Sequence, residues 1–160
     1  MTTLQLATRL IRRFAREGKT IAAAESCTGG LIAKTLTDVA GSSAVFCGGF
    51  VTYTNEVKRD LLGVDEAIFA RDTEVSHACA KAMAEGARLR LGTDVAVSTT
   101  GFAGPTGGTE HDPVGTVYIG VSTAKGTRSE RFSAPVGSTR REGRAAATKR
   151  VLEILLEIEE

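Results

Sequence analysis

A chain of 160 residues, 42% apolar and 24% charged, is long enough to bury a core without disulfide or metal staples. Its 20 basic and 19 acidic residues leave a formal charge of +1, so no global field recruits nucleic acid or an anionic membrane. The absence of Trp argues against a base-stacking platform, and no run approaches the roughly 20 apolar residues that span a bilayer. Cys27, Cys47 and Cys79 form neither a CxxC pair nor a zinc-type spacing, and His77 and His111 assemble no metal site in sequence. Free thiols in a cytoplasmic protein are the expectation. The arginines near the N-terminus interrupt any apolar core that a signal peptide would need.

In chain order, Leu4, Ala7, Leu10, Ile11 and Phe14 recur at helical spacing before Gly18. The apolar run Ile21 to Ala24 predicts a buried strand that breaks at Glu25 to Gly30, and a second helix is expected from about there to Val39. After a turn at Gly41-Ser42-Ser43, Val45, Phe46, Phe50, Val51 and Tyr53 predict a strand whose Gly48-Gly49 marks a bulge or a close backbone approach. Asn55 is placed to cap a short helix through Leu62 that Gly63 ends. Val75, Ala78, Cys79, Ala82, Met83 and Gly86 form one helical stripe. A strand at 94–98 leads into the glycine-rich segment Gly101 to Gly108. Residues 114–122 and 128–133 predict a hairpin around Lys125-Gly126, and Ala147, Val151, Ile154, Leu155 and Ile158 line the last helix. The alternation predicts a three-layer α/β/α fold with a mixed, mostly parallel sheet, one domain over residues 1–160.

Four segments can carry chemistry. Glu25-Ser26-Cys27-Thr28-Gly29-Gly30 follows a strand, where open α/β sheets hold ligands, and the helix start beyond it offers N–H groups to an oxyanion. Taken alone, the segment reads more readily as Ser26 or Thr28 serving as an N-cap. Lys58, following Tyr53 in Val51 to Lys58, can act as base to a serine if burial lowers its pKa, or can be a solvated helix lysine. Thr100-Gly101-Phe102-Ala103-Gly104 opens a loop whose backbone amides could wrap an anion, without the endings of a P-loop or a dinucleotide fingerprint. Arg140, Arg141 and Arg144, around the start of the last helix, form either an anion clamp or a solvated basic face.

In this order and together, the four segments resemble the C-terminal domain family of the competence/damage-inducible protein CinA, most closely its stand-alone amidohydrolase form. The resemblance covers nearly the whole chain. It implies a serine-type enzyme converting nicotinamide mononucleotide and water to nicotinate mononucleotide and ammonia, with neither metal nor organic cofactor. By the same resemblance, Ser26 is the nucleophile, Lys58 its base and Tyr53 a partner of the pair. Thr28, Gly29, Gly30, Thr100, Gly101, Gly104 and Arg140 would hold the substrate. Family members pair as homodimers, and the expected partner is a small nucleotide rather than nucleic acid or membrane. The approach Gly137-Ser138-Thr139-Arg140 is one residue longer than the family's and lacks its acid, which leaves Arg140 and Arg141 both open as the clamp. Phe102 replaces an aliphatic residue, and Glu74 a small one. The nucleotide-processing domain that precedes this one in two-domain relatives is not expected, so its activity is not carried over. A non-catalytic nucleotide-binding module is the alternative, and the joint presence of Ser26, Tyr53, Lys58 and Thr100 favours the enzyme. Cys27 is a weaker nucleophile candidate, because adjacent helical residues point about 100° apart.

Overall fold

The computed structural model describes residues 1–159. Five strands, β1 (Ile21–Glu25), β2 (Phe46–Val51), β3 (Val95–Gly101), β4 (Thr116–Thr123) and β5 (Gly126–Ser133), form one sheet in the order β2-β1-β3-β4-β5. The pairs β1–β2 and β1–β3 are parallel, whereas β3–β4 and β4–β5 are antiparallel. Only β4 therefore runs against the other four, as the late hairpin requires.

Strand alternation assigns the two sheet faces. Ile21, Ala23, Val95, Val97, Val117 and Ile119 point toward α1 (Thr3–Glu17), α2 (Leu31–Thr37) and α6 (Arg140–Glu157), making the larger core with Leu10, Phe14, Ile32, Val151 and Leu155. Ala22, Ala24 and Ala96 point the other way, toward α3 (Asn55–Leu62), α4 (Glu66–Asp72) and α5 (His77–Leu91). The residues on this second face are small, which lets α5 lie close to the sheet. A Cβ on Gly120 would lie 2.2 Å from the Ala80 carbonyl oxygen of α5. Gly86 does the same for the neighbouring helix, since its Cβ would come within 2.1 Å of Leu62 O at the end of α3. That contact fixes where α3, and with it Lys58, stands against the sheet.

Several local expectations need correction. Leu4 is exposed and Leu6 takes its place in the core. α2 begins at Leu31, just after the expected break, because Gly29 and Gly30 both adopt positive φ and keep the chain in a turn. Thr54, not Asn55, caps α3, its hydroxyl accepting from Val57 N. α5 begins at His77 under a Ser76 cap, so Val75 packs outside the helix. α4 has no counterpart in the sequence reading, having no fully buried residue to set a period. The Gly48-Gly49 reading holds in both forms: the β1–β2 register shifts after Ile21, and a Cβ on Gly49 would lie 2.8 Å from Ala23 O.

Candidate active site

β1 ends at the carboxyl edge of the three parallel strands, and Ser26 follows it directly. Ser26 N donates to Thr99 O on the β3 side at 3.0 Å, and on the β2 side Thr52 N donates to Glu25 O at 2.8 Å. The nucleophile candidate is thus held between two strands. Alternation sends Glu25 toward α2 and Ser26 toward α3. Glu25 is almost fully buried, and its carboxylate accepts from Ile32 N at 2.8 Å, Ala33 N at 3.1 Å and the Thr28 hydroxyl at 2.6 Å. It caps α2 from six residues before the helix begins, so neither Ser26 nor Thr28 serves as the cap. The amides of the first full turn of α2 are thereby engaged and cannot receive an oxyanion. The N–H groups within the turn itself, on Cys27, Thr28 and Gly30, have no acceptor among the described residues.

Lys58 reaches the turn from α3. Its side chain is 1% exposed, and Nζ donates to Ser26 Oγ at 3.1 Å. Among the described residues it makes no ion pair. Burial pushes its pKa below the ordinary lysine value, opposed by weaker attraction from Cys79 and Glu74. Cys27, by contrast, lies in the larger core with its thiol pushed up to about 11 by burial, far from the thiolate a nucleophile requires. On the β2 side, the fully buried Thr52 hydroxyl has no partner among the described residues.

Above the pair, Arg140 spans the edge of the sheet. Its Nη1 donates to Gly104 O at 2.8 Å and Nη2 to the Tyr53 hydroxyl at 2.8 Å. Both arginines left open by the sequence are exposed, but Arg140 is the one joined to the other candidate segments; Arg141 makes no side-chain hydrogen bond or ion pair among the described residues. One turn further along α6, Arg144 donates from Nε to Cys27 O at 3.0 Å and from Nη2 to Thr28 O at 2.8 Å.

The other sequence candidates are each engaged within the protein. Thr28 is fully buried and its hydroxyl is shared between Glu25 and Thr99. Thr100 is also buried and donates to Glu74 O at 2.6 Å, tying β3 to the α4–α5 connection. Gly101 is required by packing, since a Cβ would lie 2.4 Å from Thr116 O. Gly104 has φ +81° and offers its carbonyl to Arg140. Gly29 admits the Arg144 guanidinium, which a Cβ would approach to 3.0 Å, and Gly30 turns the chain into α2. Glu25 was not singled out from the sequence, because a carboxylate six residues before a helix matches no capping pattern. A groove of about 820 Å³ elsewhere, lined by Leu4, Arg9, Arg12, Arg16 and Ile158 among others, includes none of these residues.

A buried serine–lysine pair at the carboxyl edge of a three-layer α/β/α sheet, under an arginine bridge, is the architecture that the site defines. The chain belongs to the CinA C-terminal domain family, whose model matches residues 3–158. It is 46% identical over 147 residues to the Escherichia coli K12 nicotinamide-nucleotide amidohydrolase PncC, covering 90% of this chain and 89% of that one. A CinA-like protein of Geobacter sulfurreducens is 53% identical over 128 residues, or 79% of this chain. The match spans 31% of that longer relative. Among solved structures, a competence/damage-inducible protein of Agrobacterium tumefaciens superposes with a TM-score of 0.92 at 42% identity, covering 96% of this chain and 93% of that one.

The Glu25 network carries a direct consequence. Glu25→Gln keeps the shape but replaces one accepting oxygen by an NH2 that faces donors. It should destabilise the fold by about 1–3 kcal/mol, the range for a disrupted buried polar group. Urea denaturation measures this, and a change below about 0.5 kcal/mol would show that the carboxylate does not hold the turn.

Proposed function

We propose that the chain is a serine amidohydrolase that deamidates nicotinamide mononucleotide, with Ser26 as nucleophile and Lys58 as general base. The observation that carries the reading is the buried Lys58 amine, without an acidic partner among the described residues and hydrogen-bonded to Ser26 Oγ. A lysine beside a carboxylate would be held protonated. Here burial favours the neutral amine, and with it the contact reverses polarity, Ser26 O–H donating to the nitrogen lone pair. The substrate class rests on the name of the Escherichia coli relative and on Arg140. Among the described residues that guanidinium is engaged only by a tyrosine hydroxyl and a carbonyl oxygen, so its charge is left for a phosphate.

In the proposed reaction, Ser26 Oγ attacks the carboxamide carbon as Lys58 takes the hydroxyl proton. The oxyanion forms against unpaired N–H groups of the Cys27-to-Gly30 turn, each good donor contributing roughly 3–4 kcal/mol. The C–N bond then breaks as Lys58 returns the proton to nitrogen, releasing ammonia and leaving an ester on Ser26. Water attacks the ester while giving its proton to Lys58. Collapse of the second tetrahedral species expels the serine oxygen, which regains that proton, and nicotinate mononucleotide departs. Tyr53 and Arg140 orient the nucleotide above the pair. Three free cysteines suit the cytoplasm, and a homodimer is the form that family membership suggests.

Incubating the protein with nicotinamide mononucleotide should release ammonia and nicotinate mononucleotide in equal amounts. Ser26→Ala should lower kcat roughly a thousandfold or more, as removal of a nucleophile does in comparable enzymes. Turnover by Ser26→Ala at the wild-type rate would exclude it as nucleophile.

Lys58 separates stability from activity. Lys58→Met should keep the fold and stabilise it by about 0.5–2 kcal/mol while losing turnover, because a buried amine is replaced by an apolar chain of similar length. Lys58→Arg should be nearly as inactive, since a guanidinium cannot accept the serine proton. In the wild type, kcat/KM should fall as pH drops through the lowered Lys58 pKa, where the base becomes protonated. Substantial activity in Lys58→Arg would show that charge, not basicity, is what the site needs.

A further inference from the structure

Residues 102–115 connect β3 to β4 and carry Gly104, whose carbonyl accepts from Arg140 at 2.8 Å. The connection is closed at its base, where Phe102 N donates to Thr116 O at 3.0 Å and Gly115 N to Phe102 O at 2.7 Å. Its far end is a tight turn, in which Thr109 N donates to Asp112 O at 2.8 Å and Asp112 N to Thr109 Oγ1 at 2.9 Å. Tyr118 and Arg131 stand directly opposite each other on β4 and β5 and grip that turn together. The Tyr118 hydroxyl donates to the buried Asp112 Oδ1 at 2.8 Å, Arg131 Nε to the same oxygen at 3.1 Å, and Arg131 Nη2 to His111 O at 3.0 Å. Two residues on, Val114 lies against the other limb of the connection. A Cβ on Gly104 would come within 2.3 Å of Val114 Cγ1, and one on Gly108 within 2.7 Å of Val114 N. A line of contacts therefore runs from the β4–β5 pair through Asp112 and Val114 to Gly104 and Arg140.

We infer that Asp112 is a positioning residue for nucleotide binding: it pins the glycine-rich connection to β4 and β5 so that Gly104 O braces Arg140 for the substrate phosphate. The inference rests on the reading of Arg140 as the phosphate contact given above. A carboxylate suits the pin, because two donors share its one oxygen and the charge-assisted bond from Arg131 is stronger than a neutral one. The connection needs such a pin. It contains no helix or strand, and Gly104, Gly107 and Gly108 all take positive φ, so its own backbone offers many alternatives to the observed path. Bracing Arg140 before the ligand arrives lowers the ordering cost that binding must meet.

The test titrates nicotinate mononucleotide and nicotinate riboside, the product with and without its phosphate, against wild type, Asp112→Ala, Arg140→Ala and the double variant. Asp112→Ala should weaken the mononucleotide about tenfold and the riboside less than about twofold, because only the phosphorylated ligand uses the guanidinium. On the Arg140→Ala background the same substitution should cost less than about twofold, since the contact it positions is already gone. With nicotinamide mononucleotide as substrate, KM should rise about tenfold while kcat stays within about threefold of wild type. Equal losses for the two ligands, or losses that add fully in the double variant, overturn the inference and leave Asp112 a purely structural residue. So does wild-type affinity in folded Asp112→Ala. If Asp112→Ala does not fold, Arg131→Met decides by the same readout, since it removes the charged grip from a part-exposed site on the edge strand β5. Wild-type affinity for the mononucleotide in Arg131→Met then overturns the inference. An Arg140→Ala that weakens both ligands alike removes the phosphate reading and this inference together. A phosphate-selective loss in Arg140→Ala beside an unimpaired Asp112→Ala removes this inference alone.

Discussion

A single buried carboxylate sets the geometry on which the site depends. Glu25 closes β1 and caps α2 from outside the helix, leaving five residues between them to form a free-standing turn. Had the cap come from Ser26 or Thr28 in the usual way, the serine hydroxyl would point into the helix start and be lost to chemistry. Capping from the strand side frees Ser26 to face α3. It also uses the helix amides, while those of Cys27, Thr28 and Gly30 in the turn have no acceptor among the described residues. The oxyanion donors in this account are therefore turn amides, aimed by the backbone, rather than the helix terminus that a strand–helix junction first suggests.

The charge distribution follows the same economy. The whole chain is nearly neutral, yet Lys58, Arg140 and Arg144 converge on the carboxyl edge of β1, β2 and β3. Among the described residues, none of the three is paired with a carboxylate. Elsewhere arginines meet acids in the ordinary way, as Arg150 does with Glu130 and Arg131 with Asp112. Each of the three site cations is engaged instead by neutral oxygens, a serine or tyrosine hydroxyl or a backbone carbonyl. Such partners orient a side chain without cancelling its charge. A local excess of positive charge suits a phosphorylated substrate and a tetrahedral oxyanion, while burial disfavours protonation of the Lys58 amine.

Much of the fold was legible because local rules agreed with the tertiary outcome. Apolar runs gave β1 and β3, the Lys125-Gly126 turn gave the β4–β5 hairpin, and Gly48-Gly49 announced the bulge in β2. Placing Ser26 at the sheet edge followed from strand-then-glycine order, while its pairing with Lys58 came from family resemblance. What was not legible depends on distant partners. Whether Thr28 and Thr100 could offer hydroxyls depended on Glu25, Thr99 and Glu74, which already hold them. Arg144 contacts a turn more than a hundred residues away, and no spacing rule reaches that far. α4 escaped because it packs only partly buried side chains, Ile68 and Phe69, against the rest.

The central claim is that the Lys58 amine is neutral when Ser26 must be activated. Isotopic labelling of lysine with NMR detection at Cε and Nζ, assigned by comparison with Lys58→Met, follows that one amine through a pH titration of the folded protein. The account predicts a midpoint clearly below the ordinary lysine value of about 10.4 and coincident with the acidic limb of kcat/KM. A Lys58 that titrates at or above the ordinary value would contradict it, leaving Ser26 beside a permanent cation and without a base.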